Sequence, residues 1–156
     1  MTTNMVRADG SGAMFDQIAK RYDLLNRIMS FGMDRGWRKQ LIESMPNDGE
    51  LLDVATGTAD VGLALARVHP KTSIVGLDPS QGMLDVGQVK INARQLDDRM
   101  TLILGDAQNM EFETNRFSGC TIAFGIRNVP DRLQGLREMV RVVKPGGVVS
   151  ILELSE

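Results

Sequence analysis

"ELLDVATGTAD", residues 50–60, is the stretch on which the fold turns. Its first five residues are a short, mostly apolar run, the mark of a strand buried on both faces. Gly57 follows among Ala55, Thr56, Thr58 and Ala59, small residues that let the backbone come close to a ligand where a helix begins. The same composition also serves a plain strand-to-helix turn, and Asp53 either holds that turn or faces a cationic group. Downstream, "TSIVGL" (72–77), "MTLIL" (100–104), "SGCTIAF" (118–124) and "VVSILEL" (148–154) read as further buried strands. Helical patterns fall between them, at about 59–68, 81–95 and 131–143. The last carries the stripe Leu133, Leu136, Val140 and Val143, with Pro130 placed in its first turn and Lys144-Pro145-Gly146-Gly147 ending it. Strands alternating with helices predict an α/β fold with a doubly wound, mostly parallel, Rossmann-like sheet.

Upstream of this core (47–156) the periodicity is helical. Residues 1–12 are expected to be a disordered leader, without the apolar run of a secretory signal. Across 13–46, Phe15, Ile18, Ala19, Tyr22, Leu25 and Met29 make one apolar face. Ser30-Phe31-Gly32 interrupts it, and "MDRGWRKQLIESM" (33–45) predicts a second helix, stopped by Pro46 and anchored by Trp37. Composition is that of an ordinary globular chain, with 42% hydrophobic and 24% charged residues among 156 and a net charge of -2. No Lys/Arg stripe suggests nucleic acid. No stretch reaches the roughly 18 apolar residues of a membrane span. The single cysteine, Cys120, rules out an internal disulfide and is expected inside the fourth strand. The single histidine, His69, is expected at the surface. Together they leave no metal site of standard composition.

In open α/β sheets ligands bind at the carboxyl ends of strands, and the chemically informative residues fall there. Asp78 follows the second strand, 21 residues beyond Gly57, where an acid can accept both ribose hydroxyls of an adenosine. Ser80 is a natural helix N-cap, and Met83 then stands on the first turn, placed to pack on an adenine face. Asp106 and Ala107 follow the third strand, where an acid and a small residue can meet the adenine amino group and ring edge. Each of these reads on its own as a capping or surface acid; three consecutive strand ends together read as one adenosyl site. Ala55 and Ala59 occupy the outer positions of a glycine fingerprint, so the pyrophosphate pattern of a dinucleotide site is not met. A nicotinamide-dependent oxidoreductase therefore stands only as a lesser alternative. After the fourth strand, "AFGIRNVPD" (123–131) exposes Arg127 and Asn128 at the strand end, readable as a salt-bridged corner or as a reactive one.

The order "DVATGTAD", "DPSQGML", "GDA" and "VKPGG" resembles class I S-adenosylmethionine-dependent methyltransferases. "MFDQIAKRYDLLNRIMSFGMDRGWRK" (14–39), "FGIRNVPD" (124–131) and "REMVRVVKPGGVVSILELS" (137–155) resemble the signatures of ubiquinone/menaquinone biosynthesis C-methyltransferases. The resemblance covers residues 13–156. It implies S-adenosylmethionine as cofactor, leaving as S-adenosylhomocysteine, held by Asp53, Gly57, Thr58, Asp78, Met83, Asp106, Ala107 and Ala123. It implies as substrate a polyprenylated hydroquinone, demethylmenaquinol or a polyprenyl-methoxybenzoquinol, methylated at a ring carbon. Arg127 would stabilise the developing phenolate, directly or through a water. Asn128 would orient the ring oxygen, and Tyr22 would pack on the cofactor or close the pocket. Peripheral membrane association, a homodimer or a quinone-biosynthesis complex, and a bacterial cytoplasmic or mitochondrial matrix location complete the expectation. Ala59 departs from the family's usual glycine, and Ala123 from a frequent serine. Members continue for several tens of residues past "LELS", so a shortened chain lacking the last strands is expected. A non-catalytic cofactor-binding or scaffolding module is the alternative for that form.

Overall fold

The computed structural model describes residues 33–154. The expected leader, the first helical face, the Ser30-Phe31-Gly32 break and Tyr22 lie outside them. Helix α1 (Met33–Glu43) leads into β1 (Asp48–Val54), α2 (Asp60–Val68), β2 (Lys71–Asp78) and α3 (Gln81–Ala93). Then come β3 (Met100–Leu104), β4 (Phe117–Ala123), a short 3-10 turn (Ile126–Asn128), α4 (Arg132–Val142) and β5 (Val143–Leu152).

The strands form one five-stranded sheet in the order β3-β2-β1-β4-β5, and every pairing is parallel. Because β1 has β2 on one side and β4 on the other, the chain reverses its direction of travel there. The carboxyl ends of β1 and β4 are thus the ligand crevice of such a sheet. The run at 50–54 explains why β1 is central: Leu51, Leu52, Asp53 and Val54 are all buried. Alternate residues enter different cores. Leu52 and Val54 join Val75, Leu77, Phe117, Ile122 and Met139 on one face. Leu51 joins Leu41, Ile42, Leu65, Ile74 and Ile91 on the other.

Helix α1 is bolted to this second face by its last two turns. The carbonyl of Ile42 is hydrogen-bonded to His69 Nε2 at 2.7 Å, and Ser44 Oγ lies 3.2 Å from Ser150 Oγ on β5. A Cβ at Gly119 would press on the Met45 methyl and stand 3.0 Å from Pro46 Cδ, so glycine lets the end of α1 sit this close to β4 without a shift. His69 is therefore buried, 7% exposed, rather than at the surface as expected. The chain bend before β2 turns it under α1, where its ring meets a carbonyl. Trp37 is 39% exposed; Leu41, Ile42 and Met45 anchor α1 in its place. Cys120 is buried in β4 as expected, its thiol pushed up by that burial and by the Asp53 charge.

Two further expectations need correction. The stripe assigned to α4 holds only in part: Leu136 packs on the core and Val143 is buried, but Leu133 is 57% and Val140 65% exposed. The helix buries Gly135, Glu138, Met139 and Val142, a stripe of the same period rotated around the axis. Glu138 can lie there because it accepts hydrogen bonds from Met110 N at 2.8 Å and from Arg141 Nε at 2.7 Å. Arg141 in turn donates to the Met110 and Phe112 carbonyls, clamping the segment before β4 onto the helix. The hydrogen bonds from Arg141 hold the Glu138 carboxyl below its ordinary range. Second, β5 begins at Val143 and not at 148, so Lys144-Pro145-Gly146-Gly147, which follows the helix as expected, forms a bulge within the strand. The pairing passes from Phe117↔Val143 to Gly119↔Val148, two steps on β4 against five on β5. Pro130 lies before α4, whose N-cap is Asp131, accepting from Gln134 N at 3.0 Å.

Rotating the stripe has a measurable consequence. Met139→Ala should cost about 2–5 kcal/mol in urea unfolding, as deletion of buried methylenes does. Leu133→Ala should stay within about 0.5 kcal/mol of wild type. Equal costs at the two positions would contradict the assigned face.

Candidate functional site

The cleft lies at the carboxyl ends of β1, β2 and β4. Its floor is the loop between β1 and α2, and that loop is unusual in its backbone. Ala55 (φ 52°), Gly57 (φ 58°) and Ala59 (φ 71°) all adopt left-handed conformations. Glycine takes such values freely, while alanine pays roughly 1–2 kcal/mol at each. The two alanines that break the glycine fingerprint thus occupy glycine geometry. Ala59 is also the N-cap residue of α2 and offers no side-chain bond to it.

Polar groups from three strands hold the loop in this shape. Asp78 Oδ2 accepts a hydrogen bond from Gly57 N at 2.9 Å, and its Oδ1 accepts from Ser80 N at 2.9 Å. Ser80 caps α3 as expected, accepting from Met83 N. Asp53 accepts from Thr56 Oγ1 at 2.7 Å and from Thr121 Oγ1, on β4, at 2.8 Å. From α3, Lys90 Nζ donates to Thr58 Oγ1 at 2.8 Å and to Asp60 Oδ1 at 3.0 Å. The bond between Gly57 and Asp78 spans the 21-residue interval that the ribose reading singled out, and nothing in the residues foretold the bond itself.

Asp53 is the electrostatic oddity of the site. It is 1% exposed, and burial pushes its carboxyl up to about 6. The Thr56 and Thr121 hydroxyls oppose that rise, the Asp78 charge adds to it, and the Arg38 charge works against it. Arg38 comes from α1 and lines the cleft beside Asp53, Asp60 and Asp78.

The expected site residues divide into two groups. Asp53, Gly57, Thr58, Asp78, Met83, Ala123 and Asn128 all line the cleft. A Cβ on Gly57 would stand 3.0 Å from Met83 Cε, so the thioether closes directly over the loop. Asp106, Ala107 and Arg127 are not on the cleft wall. Asp106 is exposed and accepts from its neighbour Gln108 N at 2.8 Å. Ala107 packs against the core on the α4 side. Arg127 bonds the Glu153 carboxylate through Nε at 3.0 Å and through Nη2, the salt-bridged reading of that corner. Burial works upward on the Glu153 carboxyl, but the bonds from Arg127 hold it below its ordinary range. Sequence reasoning passed over Arg38 and Phe124, both on the cleft wall. Arg38 was findable from its spacing to Leu41, Ile42 and Met45. Phe124 lies left-handed at φ 54°, which its residue type gives no hint of.

A second groove, between α2 and the end of α3, carries Arg67, Arg94 and Arg99. No strand end reaches it, and Arg99 Nη2 is engaged by the Ala66, His69 and Thr72 carbonyls.

The model of the ubiE/COQ5 methyltransferase family matches residues 4–156. The ubiquinone/menaquinone biosynthesis C-methyltransferase UbiE of Geotalea daltonii is 49% identical over 146 residues, covering 91% of this chain and 62% of that protein. The demethylmenaquinone methyltransferase of Thermotoga maritima is 46% identical over 143 residues, covering 90% and 60% respectively. The chain thus spans about 60% of the length of these curated relatives. Among solved structures, the [4+2]-cyclase SpnF superposes with a TM-score of 0.78 at 24% identity, covering 90% of this chain and 57% of that one. A SAM-dependent methyltransferase from Aquifex aeolicus superposes with a TM-score of 0.68 at 20% identity, covering 83% and 68%. These structures share the class I methyltransferase fold, and since one of them is a cyclase the fold alone does not set the reaction.

The raised Asp53 carboxyl makes a pH prediction. A carboxyl whose folded value lies above its unfolded one binds more protons when folded, so stability falls as pH rises between the two. Against Asp53→Asn, wild-type protein should lose up to about 3 kcal/mol between pH 4 and pH 6 or so, then stay level above pH 7. Urea unfolding of the pair across that range checks it; a pH-independent difference would refute it.

Proposed function

The chain belongs to the ubiE/COQ5 methyltransferase family, and from that premise we propose that its strand-end cleft holds S-adenosylmethionine for methyl transfer to a ring carbon of a prenylated hydroquinone. The observation that carries this reading is the Asp78 carboxylate, anchored to Gly57 N and Ser80 N at the cleft wall. That is the position from which an acid accepts the two hydroxyls of a ribose. The residues fit an adenosyl sulfonium on other grounds too. Asp53, Asp60 and Asp78 line the cleft, suiting a ligand that carries positive charge rather than the two phosphates of a dinucleotide. Buried Met83 offers an apolar, polarisable surface to an adenine face. The names of the relatives, a menaquinone and a ubiquinone/menaquinone enzyme, support the quinol as acceptor.

S-adenosylmethionine supplies, when bound, an electrophilic methyl group on its sulfonium. The remaining work belongs to the protein and is chiefly positioning. Gly57 and Thr58 bring backbone and hydroxyl to the ligand, and Ala123 keeps the fourth strand end open. Asn128, on the cleft wall beyond the cofactor residues, orients the ring oxygen of the quinol. That oxygen must shed its proton to solvent, because phenolate character makes the ring carbon nucleophilic. After the S–CH3 bond breaks and the C–CH3 bond forms, the ring carbon loses its own proton to solvent, restoring the aromatic ring. Arg127 stays charged at any working pH, so its part is to stabilise phenolate charge, not to take the proton. Its guanidinium is held by Glu153 outside the cleft wall, so it acts on that charge through a water. A cytoplasmic or matrix enzyme touching the membrane that stores its prenylated substrate fits this chemistry, as does a homodimer or a quinone-biosynthesis complex.

The test is transfer of labelled methyl from S-adenosylmethionine to a short-chain demethylmenaquinol, with S-adenosylhomocysteine affinity measured in parallel. Labelled quinol is expected; affinity without transfer would favour a binding or scaffolding module instead. Asp78→Asn should weaken S-adenosylhomocysteine at least about tenfold, the worth of one charge-assisted hydrogen bond. Arg127→Ala should lower the transfer rate with that affinity kept, and an unchanged rate would remove it from the mechanism.

A further inference from the structure

Helix α1 buries Leu41, Ile42 and Met45. Arg38 stands three, four and seven residues before them, on the same face of the helix. A guanidinium in an apolar stripe needs a reason, and its position supplies one. The stripe continues past the sheet edge into the cleft, where Arg38 is part of the wall. The bonds of Ile42 and Ser44 to His69 and Ser150 fix the helix, so the guanidinium is delivered from a rigid element. Among the described residues, four charged ones line the cleft, and three of them are the acids Asp53, Asp60 and Asp78. Arg38 is the one base among them.

That charge pattern has the polarity of a zwitterion. We propose that Arg38 receives the α-carboxylate of the amino-acid end of the cofactor, while the acidic side of the cleft faces its positive groups. This deepens the cofactor reading above and rests on it. A guanidinium presents five N–H donors in a planar fork that matches a carboxylate, so one group can face Asp53 and still grip the ligand. A role confined to neutralising Asp53 would instead affect every ligand of the cleft alike.

Two ligands separate those roles. S-adenosylhomocysteine carries the amino-acid end; 5′-methylthioadenosine has the same nucleoside and thioether without it. Calorimetric titration of wild type, Arg38→Gln and Arg38→Lys with both ligands reads the difference. Arg38→Gln should weaken S-adenosylhomocysteine by roughly 10- to 100-fold and leave methylthioadenosine within about twofold of wild type. Arg38→Lys, which keeps the charge and loses the fork, should fall between on the first ligand and change nothing on the second. Unchanged methylthioadenosine affinity also certifies that each variant is folded, and if the glutamine variant does not fold the lysine variant carries the comparison. Equal losses on both ligands, or none on S-adenosylhomocysteine, would overturn the assignment. Wild-type protein that binds neither ligand would remove the cofactor reading itself, and the assignment with it.

Discussion

The hydrogen bond from Gly57 N to the Asp78 carboxylate is the constraint on which the site depends. It joins the loop after β1 to the end of β2 and sets the floor of the cleft. The loop it restrains is a costly one, with alanine at two of its three left-handed positions. Each such alanine is worth roughly 1–2 kcal/mol of strain, which hydrogen bonds to a charged group, about 1.5–3 kcal/mol each, can offset. Asp53 gives a second restraint from below, tying Thr56 and Thr121 together. Lys90 gives a third from α3. The loop is therefore held by charged side chains where glycine would have relaxed it.

Those same carboxylates set the character of the cleft. Asp53 is so deeply buried that its ionisation is resisted, and the Asp78 charge works in the same direction. A cationic ligand entering beside them would relieve both, because an opposite charge favours the ionised form. A dinucleotide would do the reverse by bringing its phosphates up to three acids. Shape adds to this at Ala55, which lines the cleft with a methyl group where a pyrophosphate needs bare backbone; Ala59 turns its methyl into the core.

Much of this was legible in the residues alone, wherever a local rule was decisive. Short apolar runs placed the first four strands to within about two residues, β3 at both ends, while β5 begins five residues before its apolar run. Ser80 was legible as a helix cap. What escaped was decided by distant partners. Glu138 lies in the buried face of α4 because Arg141 and Met110 satisfy it, and without that pairing the eye follows Leu133 and Val140 instead. His69 is buried because α1 supplies a carbonyl. Asp106 reads like Asp78 in sequence, but its own neighbour Gln108 takes up its carboxylate, and it stays outside the cleft wall. Arg38 was hidden by its charge, since a scan for apolar stripes steps over an arginine that belongs to one.

The central claim is that this cleft is built for an adenosyl sulfonium and not for a dinucleotide. Calorimetric titration of the chain with S-adenosylmethionine and, separately, with NADH tests it most directly. Saturable binding of S-adenosylmethionine at one site per chain, with no heat from NADH over the same concentrations, is the predicted result. Saturable binding of NADH, or silence from S-adenosylmethionine, would contradict it.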